Sequence, residues 1–317
     1  MSKREGDQDR WLEISVELTA EFAEPVTHLF SRYGDGRVFV AQTGEWDADD
    51  TGSDSSANGA VTVFCYLKFD DTTDNRKGMI DIGLRLMDEV TVLHSRRERI
   101  VNPEEWENQT FPTIRVGRRI VISPWSIENG PPASLQPEDV EVFLSPGLAF
   151  GTGNHPTTQL CLNQIEDEFE LGRLAGSQVL DVGCGSGVLA IAALKMGAAR
   201  AWCLDIDETA VRAVADNLVM SGVSERANVL EGSVPNVNLP DIRFDYVFAN
   251  ITSRVLIDIA DTLIENAFSG GTILASGILV DQVSAVEKAF VKNDAAKIVE
   301  TRRESDWIMM RIVKSAA

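Results

Sequence analysis

Three glycines, Gly183, Gly185 and Gly187, follow one another on a two-residue beat inside "VLDVGCGSGVLAIAALKMGA", Val179 to Ala198. An apolar strand leads into them, and a helix leaves them near Val188. Glycines in such a turn let the backbone approach a ligand closely and aim N–H groups at it. Phosphates, dinucleotides and S-adenosylmethionine are all held by loops of this general kind. The dinucleotide fingerprint is GxGxxG, whereas the spacing here is GxGxG with valine at position 188. A Walker loop would need Gly-Lys-Ser/Thr, which this loop lacks. Asp181 closes the strand just ahead of the glycines. Its negative charge repels a pyrophosphate and suits an ammonium or a sulfonium. The charge sign therefore favours S-adenosylmethionine.

Three further groups support that reading. "ARAWCLDID" ends in Asp205, roughly twenty residues on, where a carboxylate can accept both hydroxyls of a ribose. Asp207 fits the N-cap of the helix "ETAVRAVADNLVMSG". The apolar strand of "FDYVFANIT" ends at Asn250, whose amide oxygen can hold a neutral amine. Many amino-methylating DNA enzymes carry a proline pair after such a residue; Ile251 and Thr252 stand here instead. "LSPGLAFGTGNHPTTQLCLNQI", Leu144 to Ile165, places glycines and hydroxyls before a helix that begins near Pro156. This loop, with Thr152 and Gly153, can fold over a ligand and donate backbone N–H groups and Thr hydroxyls. His155 precedes a Pro-initiated helix and reads as a capping or packing group rather than a base. His28 and His94 have no partner motif, and no metal-ligand cluster is expected. Cys65, Cys161, Cys184 and Cys203 form no CxxC pair and read as buried free thiols.

These residues need elements that hold them. From Val140 onward, strand and helix patterns alternate, with strands beginning at Val140, Val179, Ala201, Asn228, Phe244, Thr272 and Lys297. A last strand runs through "DWIMMRIVK". That rhythm predicts an α/β, doubly wound, Rossmann-like sheet over 140–317, with the final strand as an antiparallel edge. Ahead of it, "RWLEISVEL" alternates Leu12, Ile14, Val16 and Leu18 on one face, which is the strand period. The order strand, helix, strand, strand, helix, strand over 1–101 is the split βαβ, ferredoxin-like α+β pattern. Pro25 fits the first turn of its first helix, and Gly34 or Gly36 its end. The acidic stretch Gly44 to Gly59 reads as a solvated loop. Residues 102–139, with Trp106, Trp125, several prolines and one apparent strand pair, read as a linker.

The formal charge of −20 over 317 residues disfavours nonspecific attachment to phosphate backbones and attracts a basic protein partner. The sequence shows no apolar run of membrane-spanning length, and its start, "MSKREGDQDR", lacks a secretion-signal pattern. A cytoplasmic protein without DNA or membrane partners is expected.

"PGLAFGTGNHPTT", "DVGCGSGVLAIAALKMGA", "LDID" and "ANI" resemble, in order and spacing, the signature of the bacterial ribosomal protein L-eleven methyltransferases. The resemblance spans the chain and is densest from Leu144 to Gly277. It implies a class I methyltransferase domain behind a ferredoxin-like substrate-recognition domain and a flexible linker. It also implies methylation, by S-adenosylmethionine, of lysine ε-amines and the N-terminal α-amine of that ribosomal protein, free or on the large subunit. The family's cofactor contacts carry over to Thr158, Gly183, Asp205 and Asn250, all of matching type. Asp181, Gly185, Thr152 and Gly153 join them as cofactor-binding candidates, and Asn250 is the catalytic candidate. The alternatives are a paralogue acting on another protein or a small amine, and a non-catalytic module that binds S-adenosylmethionine.

Overall fold

The computed structural model describes residues 10–19, 22–34, 38–43, 60–89, 93–101, 113–124, 135–145, 153 and 155–315. The chain forms two compact units, Met1–Pro112 with Pro146–Phe150, and Thr113–Ser145 with Gly151–Ala317. The acidic stretch Gly44 to Gly59, Trp106 and Trp125 lie outside the described residues.

The first unit contains β1 (Trp11–Thr19), α1 (Ala23–Tyr33), β2 (Val38–Thr43), β3 (Ala60–Lys68), α2 (Thr73–Asp88) and β4 (Ser95–Val101). Its sheet order is β2-β3-β1-β4, with every neighbouring pair antiparallel. Strand β3 therefore lies between β1 and β2, which is the split βαβ arrangement. Leu12, Ile14, Val16 and Leu18 are buried with Val26 and Phe30 of α1 and Ile80 and Leu84 of α2. The period-two pattern of β1 thus places one apolar face under both helices. Gly34 ends α1, its N–H donating to the Phe30 carbonyl at 2.7 Å.

The second unit opens with β5 (Ile114–Val116), β6 (Ile120–Pro124) and β7 (Val140–Leu144), a small sheet with β6 in the middle. β5 and β6 fall within the stretch 102–139 that the sequence reads as linker. There follow α3 (Pro156–Glu170), β8 (Gln178–Val182), α4 (Val188–Lys195), β9 (Arg200–Asp205), α5 (Glu208–Met220) and β10 (Ala227–Glu231). Then come β11 (Phe244–Asn250), α6 (Ser253–Asn266), β12 (Ala267–Leu279), α7 (Val283–Phe290), β13 (Ala296–Glu304) and β14 (Trp307–Lys314). The large sheet has the order β10-β9-β8-β11-β12-β14-β13, parallel from β10 to β12. Among the described residues, no helix is long and apolar enough to cross a membrane.

One expectation needs correction. The final strand is antiparallel, but it is not the edge: β14 pairs with both β12 and β13, and β13 is outermost. Burial explains the order. Ile308, Met309, Met310 and Ile312 of β14 are all buried, whereas β13 beyond Ala296 alternates between exposed and half-buried positions. A strand apolar on both faces is stable only inside the sheet.

Helix α3, which carries the second loop of the candidate site into the core, brings two buried carboxylates with it. Glu168 accepts hydrogen bonds from Tyr246 Oη at 3.0 Å and Gln164 Nε2 at 3.1 Å. Glu166 accepts from the Arg118 backbone N–H at 2.9 Å, fastening α3 to the β5–β6 turn. Both carboxylates are satisfied, which is the condition for burying such groups.

The core between α6, α7 and the sheet includes Phe244, whose ring meets Trp202 edge-on at 5.3 Å. Phe244→Ala removes a fully buried ring and is expected to cost about 3–5 kcal/mol. Urea titration followed by tryptophan fluorescence checks this; a loss below about 1 kcal/mol would contradict close packing at this position.

Candidate functional site

Strand register brings the sequence candidates to one edge. Asp181 of β8 stands opposite Phe248 of β11 and Cys203 of β9, and Asn250 stands opposite Ser276 of β12. The ends of β8, β9, β11 and β12 thus align at their carboxyl termini. The order of strands reverses here: β9 and β10 extend to one side of β8, β11 and β12 to the other. In open α/β sheets this switch point forms the ligand crevice.

The glycine loop is tied to β9. The N–H groups of Gly183 and Cys184 both donate to the Leu204 carbonyl, at 2.8 and 3.0 Å. The Gly185 N–H donates to Asp205 Oδ2 at 2.9 Å, and Oδ1 accepts from the Asp207 N–H at 3.0 Å. Each Asp205 oxygen retains acceptor capacity, because a carboxylate offers about four lone-pair sites. Gly183 has φ +71°, and a Cβ there would lie 2.4 Å from Ile251 Cγ2. The left-handed backbone and the close approach of Ile251 both require glycine. Asp207 caps α5, its Oδ1 accepting from the Thr209 N–H at 2.8 Å.

Asp181 is buried behind this loop, and its Oδ2 accepts from the Ala190 N–H at 3.3 Å. It thereby caps the first turn of α4, whose N-cap residue, Gly187, has no side chain to do so. Burial pushes the Asp181 carboxyl up to about 7, the Ala190 N–H works against that, and the nearby Asp205 charge adds to it. The carboxyl is poised between its two forms near neutral pH.

The other wall comes from α3. The Asn250 Nδ2 donates to Thr158 Oγ1 at 3.2 Å, joining residues 92 apart in the chain. The amide keeps Oδ1 as an acceptor. Thr158 is fully buried, and its N–H donates to the His155 carbonyl at 3.0 Å. His155 is the N-cap of α3: its Nδ1 accepts from the Thr157 N–H at 3.3 Å and lies 2.7 Å from Thr157 Oγ1. Its ring meets Trp307 edge-on at 4.8 Å. Burial pulls the imidazole down to about 4, so it is neutral at physiological pH. Gly153 is buried against Ile122 of β6, and Thr152 lies outside the described residues.

Sequence reasoning missed Ser276. Its buried hydroxyl donates to the Thr157 carbonyl at 3.1 Å, fixing the first turn of α3 to the end of β12. The available signal was a hydroxyl beside a glycine in "LASGIL", at the end of an apolar strand.

The chain has clear relatives. A family model described as ribosomal protein L11 methyltransferase (PrmA) matches residues 10–315. The chain is 35% identical over 328 residues to the ribosomal protein L11 methyltransferase of Chloroflexus aurantiacus, covering 95% of this chain and 97% of that one. It is also 35% identical over 310 residues to that of Pelobacter propionicus, covering 95% and 96%. The crystal structure of the ribosomal protein L11 methylase from Lactobacillus delbrueckii subsp. bulgaricus superposes with a TM-score of 0.54 at 30% identity. That match covers 64% of this chain and 98% of the other.

Asp181 and His155 set opposite pH dependences. Between 3.8 and about 7 the native state binds a proton at Asp181 that the unfolded chain has released, so ionisation lowers stability as pH rises. Between about 4 and 6.5 the unfolded chain protonates His155 and the native state does not, so stability falls as pH falls. Asp181→Asn removes only the first dependence. Its stability relative to the unsubstituted protein should rise by about 1.4 kcal/mol per pH unit across the Asp181 window, then level off. Denaturant midpoints at several pH values measure this; a pH-independent difference would remove the buried carboxyl as a titrating group.

Proposed function

The chain belongs to the ribosomal protein L11 methyltransferase family, and on that premise we propose that it methylates lysine ε-amines and the N-terminal α-amine of L11. The coarse activity is the family's own, methyl transfer from S-adenosylmethionine to ribosomal protein L11. The observation that carries the amine reading is the Asn250–Thr158 hydrogen bond at the switch point, beside the glycine loop and Asp205. It presents a neutral amide where a neutral nitrogen nucleophile has to be aligned.

The residues fit S-adenosylmethionine. Gly183, with its positive φ and Ile251 packed against it, fixes the path by which the loop reaches the strand ends. Asp205, already oriented by Gly185 and Asp207, is an acceptor pair for the two ribose hydroxyls. The Gly183 and Gly185 loop takes the methionine end, with the Asp181 carboxyl behind it. Thr158, Thr152 and Gly153 take the carboxylate side. When bound, the cofactor supplies an electrophilic methyl group on a sulfonium. In this reading residues 1–101 recognise the substrate, 102–139 link, and 140–317 perform the transfer, in the cytoplasm.

The chain's own residues have two tasks in the reaction, to align the amine and to keep it neutral. A free lysine has a pKa near 10.4, so losing its proton at neutral pH costs roughly 4–5 kcal/mol. A water-poor site beside a cation lowers that cost, because burial and like charge both disfavour the ammonium. His155 does not serve as the base: its Nδ1 is committed to capping α3 and its ring is buried against Trp307. Asn250 Oδ1 accepts from the incoming amine and turns its lone pair toward the methyl group. Alignment of this kind is worth most in the transition state.

Two tests follow. Incubation with L11 and isotope-labelled S-adenosylmethionine, followed by mass spectrometry, should place label on lysine Nζ atoms and the N-terminal nitrogen. Label confined to other atoms would overturn the amine reading. Asn250→Ala should lower kcat roughly a hundredfold while changing cofactor affinity much less. Asn250→Asp should stay slow at neutral pH, where its charge holds the lysine protonated, and recover in part as pH rises. Unimpaired turnover by both variants would reduce Asn250 to a turn residue.

A further inference from the structure

Helix α5 follows Asp205 but itself bears none of the sequence candidates. One of its faces nevertheless touches the glycine loop and the end of β7. Val214 and Asn217 share that face, and Ser221, the C-cap residue just beyond the helix, continues it at the same spacing. Val214 Cγ2 fills the space beside Gly187, where a Cβ would come within 2.3 Å of it. Gly187 has φ +78°, so the loop takes this path only with glycine there and Val214 against it. Ser221 Oγ lies 3.1 Å from both the Phe143 N–H and the Phe143 carbonyl at the end of β7.

Asn217 lies between these two contacts and is buried. Its Nδ2 donates to the Ser186 carbonyl at 2.8 Å, within the glycine loop. Its Oδ1 accepts from the Ser145 N–H at 2.7 Å, where β7 gives way to the chain that continues toward Thr152 and α3. A single amide therefore satisfies one buried carbonyl and one half-buried N–H from separate segments. Only an amide of this length offers a donor and an acceptor in that arrangement. Neither contact is made to another part of α5, and capping of the helix is supplied by Asp207. The geometry is that of a cross-brace between the glycine loop and the exit of β7.

We propose that Asn217 is a positioning residue for cofactor binding: it couples the glycine loop to Ser145 at the exit of β7, so that the loop is held in its binding geometry before the cofactor arrives. The proposal rests on the reading that the glycine loop and Asp205 hold S-adenosylmethionine. Preorganisation of this kind appears as affinity, because a loop left unbraced must be ordered by the ligand itself. It also predicts a directional requirement. The donor to Ser186 matters for the loop, whereas the acceptor for Ser145 could equally be a carboxylate oxygen.

Asn217→Asp separates the two halves. It keeps the acceptor for Ser145 and places a second oxygen against the Ser186 carbonyl. Calorimetry with S-adenosylmethionine at pH 8 should show affinity weakened about tenfold or more, the effect of losing one buried hydrogen bond and leaving a carbonyl unpaired. Relative to the unsubstituted protein at the same pH, the affinity of Asn217→Asp should recover as pH is lowered and its carboxyl regains a donor proton. Amide exchange of the unliganded variant should rise in residues 183–190 while β12 and β14 stay protected. Asn217→Ser, too short to reach both partners, gives a second variant should the first fail to fold, and it should lose affinity without pH recovery. Ser221→Ala, which loosens β7 alone, should stay within about twofold of the unsubstituted protein. The proposal is overturned if folded Asn217 variants bind normally, if exchange rises throughout the unit rather than in the loop, or if Ser221→Ala weakens binding equally. Asp205→Ala, measured alongside, distinguishes the two levels: normal binding by that variant would instead overturn the assignment of the cofactor site.

Discussion

Pairing of β8 on both edges is the constraint from which the site follows. With β9 on one side and β11 on the other, the strand has no freedom to slide. A slip of one residue would turn Asp181 from one face of the sheet to the other and carry the glycine loop with it. The same register lines up Asp205, Asn250 and Ser276 at neighbouring strand ends, although they are spread over some seventy residues of chain. Side-chain chemistry at the crevice is thus set by backbone hydrogen bonds in the core. The largely buried strands β8 and β11 supply the apolar surface that makes those bonds hold.

Once the sheet is fixed, the loops need their own fastening, because glycine-rich backbone has much conformational entropy to lose. The structure fastens them with polar groups that face inward. The Leu204 carbonyl holds two N–H groups of the glycine loop, Asp181 holds the helix behind it, and Ser276 holds the start of α3. Each such group gives up contact with water and is kept by a specific partner. Asp181 shows the tension most plainly. Its carboxyl completes a helix cap that glycine cannot, at the cost of sitting where ionisation is disfavoured.

The two units have separate apolar cores, one under α1 and α2 and one around the large sheet. A fold organised this way lets the surface of the first unit change without repacking the core that holds the strand ends of the second. The net charge of −20 would steer a basic partner toward the protein before any specific contact forms.

Much of this could be read from the chain because it is written in short-range pattern. Alternation at two residues marked β1, and helical spacing marked α1. The GxGxG beat with Asp181 before it and Asp205 closing the next strand marked residues that the fold brings to one edge of the sheet. Asp207 was readable as a cap because capping is decided within three residues. Other features depend on partners far away in sequence. β14 lies inside β13 because its two faces are both apolar, and that preference is expressed only when a sheet is present to cover them. The Asn250–Thr158 bond, the Ser276 hydroxyl on α3 and the Asn217 brace join segments from 31 to 119 residues apart. No local spacing encodes such pairs, because an Asn or Ser is equally at home in a turn, a cap or a core until packing chooses its neighbour. The sequence by itself determined which residue types reach the strand ends. Tertiary packing alone decided which of them touch, since only there does burial leave a polar group with one partner in reach.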